Sequence, residues 1–272
     1  MRKSGWFVTL MALGVFAMLY LPLLCVAIFS VNASRLGLNW GGFTLSWYTK
    51  LFHDGMILNA AKNSLLLAVI STAISTILGT MVAIGAQRLP WGKKASRVME
   101  GLLNLPVVTP DIIFAVALVI AFGALRALTG LFELGLPTMI IGHVAFQIAF
   151  VALTVRSRLQ AITMDLEEAA FDLYASYGRM LGTVVLPLLK PGIFAGAALA
   201  FTLSLDDFVI SFFTSGPDST TLPIYIYASV HRGVTPEIHA LSTMVMFLTI
   251  VAVSLMQWLS ARSEKKTAEA TA

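Results

Sequence analysis

Six stretches of the chain run without charge, or nearly so, for about the length of a bilayer crossing. Ser4–Ser34 and Asn63–Gln87 hold no Asp, Glu, Lys or Arg, and Leu134–Val155 and Ile238–Ala261 are equally clean. Gly101–Leu125 is interrupted only by Asp111, and Pro191–Pro217 only by Asp206 and Asp207. A spanning helix needs about 20 predominantly apolar residues. In lipid every backbone N–H and C=O must be paired within the protein, which restricts spans to helices or closed barrels. Barrel strands are about 10 residues long and alternate in polarity, unlike these runs. The pattern predicts an all-α polytopic membrane protein with six transmembrane helices. Residues 1–272 read as a single transmembrane domain, with a core of about 60–260.

Between the spans the polar pattern predicts shorter elements. Phe43, Trp47, Leu51 and Phe52 fall near helical spacing within Val31–Lys62, predicting a short amphipathic helix at the membrane surface. Thr214–Glu237 has turn residues at its ends and L-P-I-Y-I-Y between them, a candidate short element. Arg156–Pro187 is the most informative. Leu166, Ala169, Ala170, Leu173, Tyr177, Met180 and Val184 recur every three or four residues, predicting one long amphipathic helix that ends near Pro187 and Pro191. Asp165 and Glu168 resemble a capping box at its start. This helix displays Asp165, Glu167, Glu168 and Asp172 where a lipid-binding helix displays Lys and Arg, so its partner is read as a protein.

Composition excludes a soluble chain: 58% of residues are apolar, 12% are charged and the mean hydropathy is +0.85. The pI near 9.3 reflects where the basic residues lie and not a nucleic-acid partner. With six alternating spans, one side holds 13 of the 18 basic residues: the N-terminus, Arg88–Arg97, Arg156–Lys190 and the tail. The positive-inside rule makes that side, and both termini, cytoplasmic. Arg2 and Lys3 before a long apolar run read as an uncleaved signal-anchor. Cys25 lies in that run and reads as a small core residue.

Carboxylates inside apolar spans are costly and face a cavity or a partner. Ser204 and Asp207 share a helix face that continues back through Ala200, Gly196 and Gly192, a small-residue stripe suited to close helix packing. Asp111 follows Pro106 and Pro110, a predicted helix break. Two readings stand side by side. Asp207, Asp206, Asp111 and Ser204 line a route for a cationic substrate, with Asp207 nearer the route and Asp206 the structural partner. Alternatively, one carboxylate caps an irregularity or pairs with Arg232 or Lys62. Phe208, Phe212, Tyr225 and Tyr227 are candidate cation–π contacts, though packing accounts for them equally well. The chain has no phosphate-binding glycine loop, no nucleophile with its base, and no histidine or cysteine cluster with metal-ligand spacing. His143 and His239 read as hydrogen-bonded packing residues. No cofactor, metal or catalysis is expected of this chain.

The run E168-A-A-F-D-L-Y-A-S-Y-G-R-M-L-G-T-V-V-L-P187 resembles the E-A-A loop of permeases in ATP-binding-cassette importers. Glu168, Ala169 and Ala170 match, and Val184, Leu186 and Pro187 fall in register. The glycine of that pattern is Tyr174 here, which questions the turn at that point and offers Gly178 as its replacement. The resemblance implies a cytoplasmic coupling helix, with Glu168, Ala169, Ala170, Leu173 and Tyr174 against an ATPase subunit. Further motifs stand in order: G-F-T-L-S-W-Y (42–48), V-T-P-D-I-I (108–113), F-T-L-S-L-D-D (201–207), T-L-P-I-Y-I-Y (221–227) and G-V-T-P-E-I-H-A-L-S-T (233–243). Together they resemble the permease subunits of spermidine and putrescine importers, the C-type subunit in particular.

That resemblance implies an inner-membrane permease forming half of a polyamine route. Its partners would be a second homologous permease, two ATP-binding subunits and an external binding protein. Importers of other small solutes share parts of the pattern. The rival reading is a self-contained secondary transporter or channel using Asp111, Asp206 and Asp207 as ion-coupling groups. The charge asymmetry gives a first test. A thiol reagent applied to intact cells should label a cysteine placed at Ser46 and spare one at Ser96; the opposite pattern inverts the topology.

Overall fold

The computed structural model describes residues 5–34, 39–233 and 235–271. Arg2, Lys3 and Arg35 lie outside the described residues, as do the side chains of Arg262, Lys265 and Lys266. Apart from one antiparallel bridge between Asn32 and Phe43, the regular structure described is helical. Six helical segments are long and apolar enough to cross a membrane: Trp6–Phe29, Gly55–Arg88, Asp111–Thr129, Leu136–Gln160, Tyr177–Asp206 and Pro236–Leu255. The predicted number and order of spans hold.

The chain divides into two compact units. One comprises the residues up to Asn59 together with Tyr225–Ile250. Its first helix, α1 (Gly5–Phe29), carries no charged residue, and none of its spanning segment is buried. Cys25 is accordingly exposed rather than a core residue, because a helix apolar on every side is at home in hydrocarbon. After α1 the fully buried Asn32 organises the turn: its Oδ1 accepts the N–H of Gly41 at 2.8 Å and that of Ser34 at 3.1 Å. The Trp47 indole N–H donates to the Asn32 carbonyl at 2.8 Å. α2 (Ser46–Leu51) buries Trp47 and Leu51, while Phe43 and Phe52 are exposed. The predicted helical face therefore shrinks to one i,i+4 pair, since Phe43 is drawn into the bridge with Asn32. Further on, α11 (Leu222–Arg232) is the short element foreseen around L-P-I-Y-I-Y.

The second unit comprises Ala60–Ile224 together with the residues from Val251 onward. It contains most of α3 (Gly55–Arg88), then α4 (Lys93–Val108), α5 (Asp111–Thr129) and α6 (Leu136–Gln160). The predicted break falls between α4 and α5, where Pro110 cannot donate a backbone bond. The principal helix pair is α6 with α9 (Leu186–Asp206). Gly192, Gly196, Ala200 and Ser204 are all buried, as the small-residue stripe predicts. Val151 of α6 fills the space that Gly196 leaves, since a Cβ there would lie 3.2 Å from its Cγ1, and one on Gly79 of α3 would be only 2.7 Å away. Val151, Ala152, Val155 and Leu159 thus form the centre of a core shared with Ile84, Leu103, Met180, Val185 and Leu189.

The cytoplasmic-side segment departs from the sequence reading in three ways. It is not one long helix: α7 (Met164–Asp172) ends at a sharp turn, and a new helix starts at Tyr177. Thr163, not Asp165, occupies the N-cap position, which leaves Asp165 in the first turn with no side-chain cap bond. The second helix does not stop at Pro187 either. α8 (Tyr177–Met180) passes through a wide turn, Leu181–Val185, into α9, so that helix runs from Tyr177 to Asp206. In the wide turn the Leu186 N–H donates to the Leu181 carbonyl, five residues back. The extra residue in the turn re-registers the backbone ahead of Pro187, which has no N–H to give.

The turn after α7 falls at Tyr174, not Gly178. Tyr174 has φ +58°, and its N–H donates to the Phe171 carbonyl at 2.8 Å while that of Ala175 donates to Ala170 at 3.0 Å. These two bonds make a Schellman C-cap, with tyrosine where glycine is usual. Gly178 lies inside α8. A left-handed conformation costs a non-glycine residue about 1–3 kcal/mol. Glycine would forgo part of that gain through its greater freedom in the unfolded chain. Tyr174→Gly should therefore stabilise the turn by about 1 kcal/mol, and Tyr174→Val should destabilise it. Thermal midpoints of the detergent-solubilised chain test both; a Gly variant melting below the parent contradicts the strain.

Candidate functional site

The break between α9 and α10 (Val209–Thr214) frees backbone groups where a spanning segment ends, and Asp207 takes them up. Its Oδ2 accepts the Ser211 N–H at 2.8 Å and its Oδ1 the Ile210 N–H at 3.2 Å. The same carboxylate stands 3.2 Å from Nε2 of His143, which α6 carries into the packed interior at 2% exposure. His143 Nε2 also meets the Ser211 hydroxyl at 3.0 Å, and Nδ1 meets that of Ser204 at 2.8 Å. Nε2 thus faces Asp207 and Ser211, and Nδ1 faces Ser204.

The network continues across the unit. The Ser204 hydroxyl lies 3.3 Å from that of Ser71 on α3. Gln147, one turn along α6 from His143, donates to the Ala200 carbonyl at 3.1 Å and accepts from Ser75 at 3.0 Å. Asp207, His143, Ser204, Ser71, Gln147 and Ser75 thus form a polar seam tying α3, α6 and α9 together where apolar packing alone leaves orientation loose.

Asp206 is placed differently. It is exposed at the last turn of α9, within charge–charge range of Asp207 and of Asp111. Asp111 is likewise exposed, at the start of α5 just after Pro110. α5 packs against α10, so the two helix breaks are neighbours. Among the described residues neither Asp206 nor Asp111 forms an ion pair, and Asp207 pairs with His143 rather than with Arg232 or Lys62. Of the predicted residues, Asp207 and Ser204 therefore sit in the buried seam, while Asp206 and Asp111 present free charge. Gln147 is the residue the sequence reading passed over, while His143 has the hydrogen-bonded packing role expected of it. The signal for Gln147 was two polar side chains four apart on one face of a charge-free span.

On the cytoplasmic-side segment Glu168, Ala169, Leu173 and Tyr174 are exposed, and Ala170 is half-buried. Leu173 is 82% and Tyr174 97% exposed, a large apolar display for a segment of this acidity. Glu167, expected on the acidic face, turns inward instead. Its Oε1 stands 2.7 Å from Nη2 of Arg88, with the two side chains 6% and 9% exposed. The contact is one of charge more than of direction, since Oε1 meets no donor at hydrogen-bonding angle.

A chain with six candidate membrane spans, and with helix breaks beside Asp111 and Asp207, is a polytopic membrane protein. Residues 75–269 match the family described as the binding-protein-dependent transport system inner membrane component, and the chain belongs to that family. It is 38% identical over 253 residues to the spermidine/putrescine transport system permease protein PotC of Escherichia coli K12, covering 93% of both chains. It is 37% identical over 266 residues to the putrescine transport system permease protein PotI of the same organism, covering 97% of this chain and 94% of that one. In fold it matches a bacterial ABC transporter that imports the acidic polysaccharide alginate, with TM-score 0.75 at 18% identity over 96% of both chains. It also matches the MetNI methionine ABC transporter, with TM-score 0.61 at 18% identity over 75% of this chain and 93% of that one. The chain is thus a non-catalytic, multi-pass inner-membrane permease subunit of an ABC importer, a class that works with ATPase subunits and a binding protein. Family membership displaces the rival reading of a self-contained transporter.

The seam gives a stability test. Asp207→Ala removes both caps and should cost about 1–2 kcal/mol. His143→Leu strands Asp207, Ser204 and Ser211 and should cost about 1–3 kcal/mol. Asp206→Ala should leave the thermal midpoint of the solubilised chain at the parental value. Equal losses from Asp206→Ala and Asp207→Ala contradict this division.

Proposed function

We propose that this permease carries polyamines of the spermidine and putrescine class. In this reading it forms half of a route completed by a second homologous permease, and two ATP-binding subunits and an external binding protein drive it. The observation that carries the reading is the Asp111–Asp206 pair. Two exposed carboxylates, presented by neighbouring helix breaks and lacking ion-pair partners among the described residues, suit a flexible polycation. Each stands at the end of an apolar span, where a charge costly in hydrocarbon calls for a passage or a partner. The relatives named for spermidine and putrescine transport cover nearly the whole chain. The route assigned here favours Asp206 and Asp111, with Asp207 and Ser204 holding the helix break beside them.

The exposed face of Glu168, Ala169, Leu173 and Tyr174, with Ala170 at its edge, is the proposed ATPase contact. It supplies apolar side chains flanked by carboxylates on a short helix held out from the unit.

Two measurements test the reading. In vesicles holding the full complex, Asp206→Asn and Asp111→Asn should each lower spermidine uptake about tenfold, the loss of roughly 1.4 kcal/mol of attraction. Parental uptake in both variants removes these residues from the route, and a cognate binding protein that carries a neutral or anionic solute removes the polyamine. Ala169→Asp should release the ATPase subunits on purification while the spans still insert. Their retention removes the contact.

A further inference from the structure

We infer that Arg88 and Glu167 are positioning residues that link the motion of α7 to α3, and so to the polar seam at the broken span. The inference rests on the reading of α7 as the ATPase-facing helix. Glu167 is the buried member of a helix whose neighbouring positions, Asp165, Leu166, Glu168 and Ala169, are exposed. Helix α7 has nine residues, and its packing is against α8 and the wide turn after it. The pair with Arg88 adds a charged tie to a second spanning helix, α3, beside its packing on the Tyr177–Asp206 helix. Arg88 is the last residue of α3, and the Nη2 that meets Glu167 also donates to the Ile162 carbonyl at 3.4 Å, in the turn that leads into α7. Both the helix and its entry are thus fastened to one guanidinium.

The other end of the path is equally concrete. α3 is an unbroken helix whose Ser71 and Ser75 contact Ser204 and Gln147, and Ser204 contacts His143, the partner of Asp207. Displacing α7 loads the charge pair first, because two oppositely charged groups in a poorly solvated setting resist separation more than apolar contacts of equal area. A helix transmits that load along its axis. A buried charge pair is a poor source of net stability compared with apolar packing, so transmission accounts for its presence better than holding the fold together does.

The test uses the assembled complex with its ATPase subunits and liganded binding protein. It measures ATP hydrolysed per solute imported, alongside co-purification of the ATPase. Glu167→Gln and Arg88→Gln should keep the ATPase subunits bound yet raise ATP consumed per solute about tenfold. The charge-reversed double variant Arg88→Glu with Glu167→Arg should return the ratio most of the way to the parental value. A parental ratio in both single variants, or a double variant no better than the singles, overturns the inference. Should the neutral variants fail to assemble, Glu167→Asp decides: it keeps the charge but shortens the reach, so an intermediate ratio supports the link and a parental ratio overturns it. Ala169→Asp separates this inference from the reading beneath it. If that variant retains the ATPase, the contact is wrong; if it loses the ATPase while Glu167→Gln stays fully coupled, only the link is wrong.

Discussion

Backbone satisfaction where a spanning helix ends is the constraint on which this molecule turns. An uninterrupted helix meets it automatically, and a broken one does not. Where the helix opens after Asp206, the Asp207 carboxylate receives the N–H groups of Ile210 and Ser211, and His143 from α6 meets the charge that remains. Because one oxygen both caps the new helix and contacts the imidazole, the break is held at a fixed place relative to α6. Two adjacent carboxylates in one sequence therefore have opposite duties: Asp207 turns inward to secure the chain, and Asp206 turns outward with no ion pair among the described residues.

The close approach that makes this possible comes from side chains that are scarcely there. Gly79 and Gly196 face the same valine, so α3 and α9 reach α6 at contact distances that larger residues forbid. In hydrocarbon no solvent drives helices together, and intimate packing and interhelical polar contacts do that work instead. Here the two coincide along one line: the small residues Gly192, Gly196 and Ala200 lead directly to Ser204, where the hydrogen-bonded seam begins. Apolar contact sets the spacing, and the polar contacts set the rotation.

Much of the architecture was legible in the sequence because bilayer thickness and charge exclusion leave few alternatives. Span number, the break at Pro110 and the packed stripe through Gly192 and Gly196 all follow from local composition. What could not be read was pairing. Glu167 looks like one more acid on an acidic helix, and only the fold shows that Arg88, far away in the chain, waits beneath it. His143 looks like an isolated polar residue until α9 and α10 bring Ser204, Asp207 and Ser211 around it. The long amphipathic helix failed for a different reason. Three- and four-residue periodicity is preserved on both sides of the turn at Tyr174, so hydrophobic spacing alone cannot register the interruption.

Tyr174 has a consequence for how such loops are recognised. The glycine of the E-A-A pattern is Tyr174 here, and its backbone takes the positive φ that glycine adopts most readily, followed by a reversal. Glycine obtains that geometry without strain. Tyrosine obtains it against a conformational penalty, and in return sets an aromatic ring at the outermost point of the loop. A signature written in residue letters ranks this chain as a degenerate member. One written in dihedral angles records a glycine-like turn at Tyr174, and the difference lies in what the loop offers to whatever meets it.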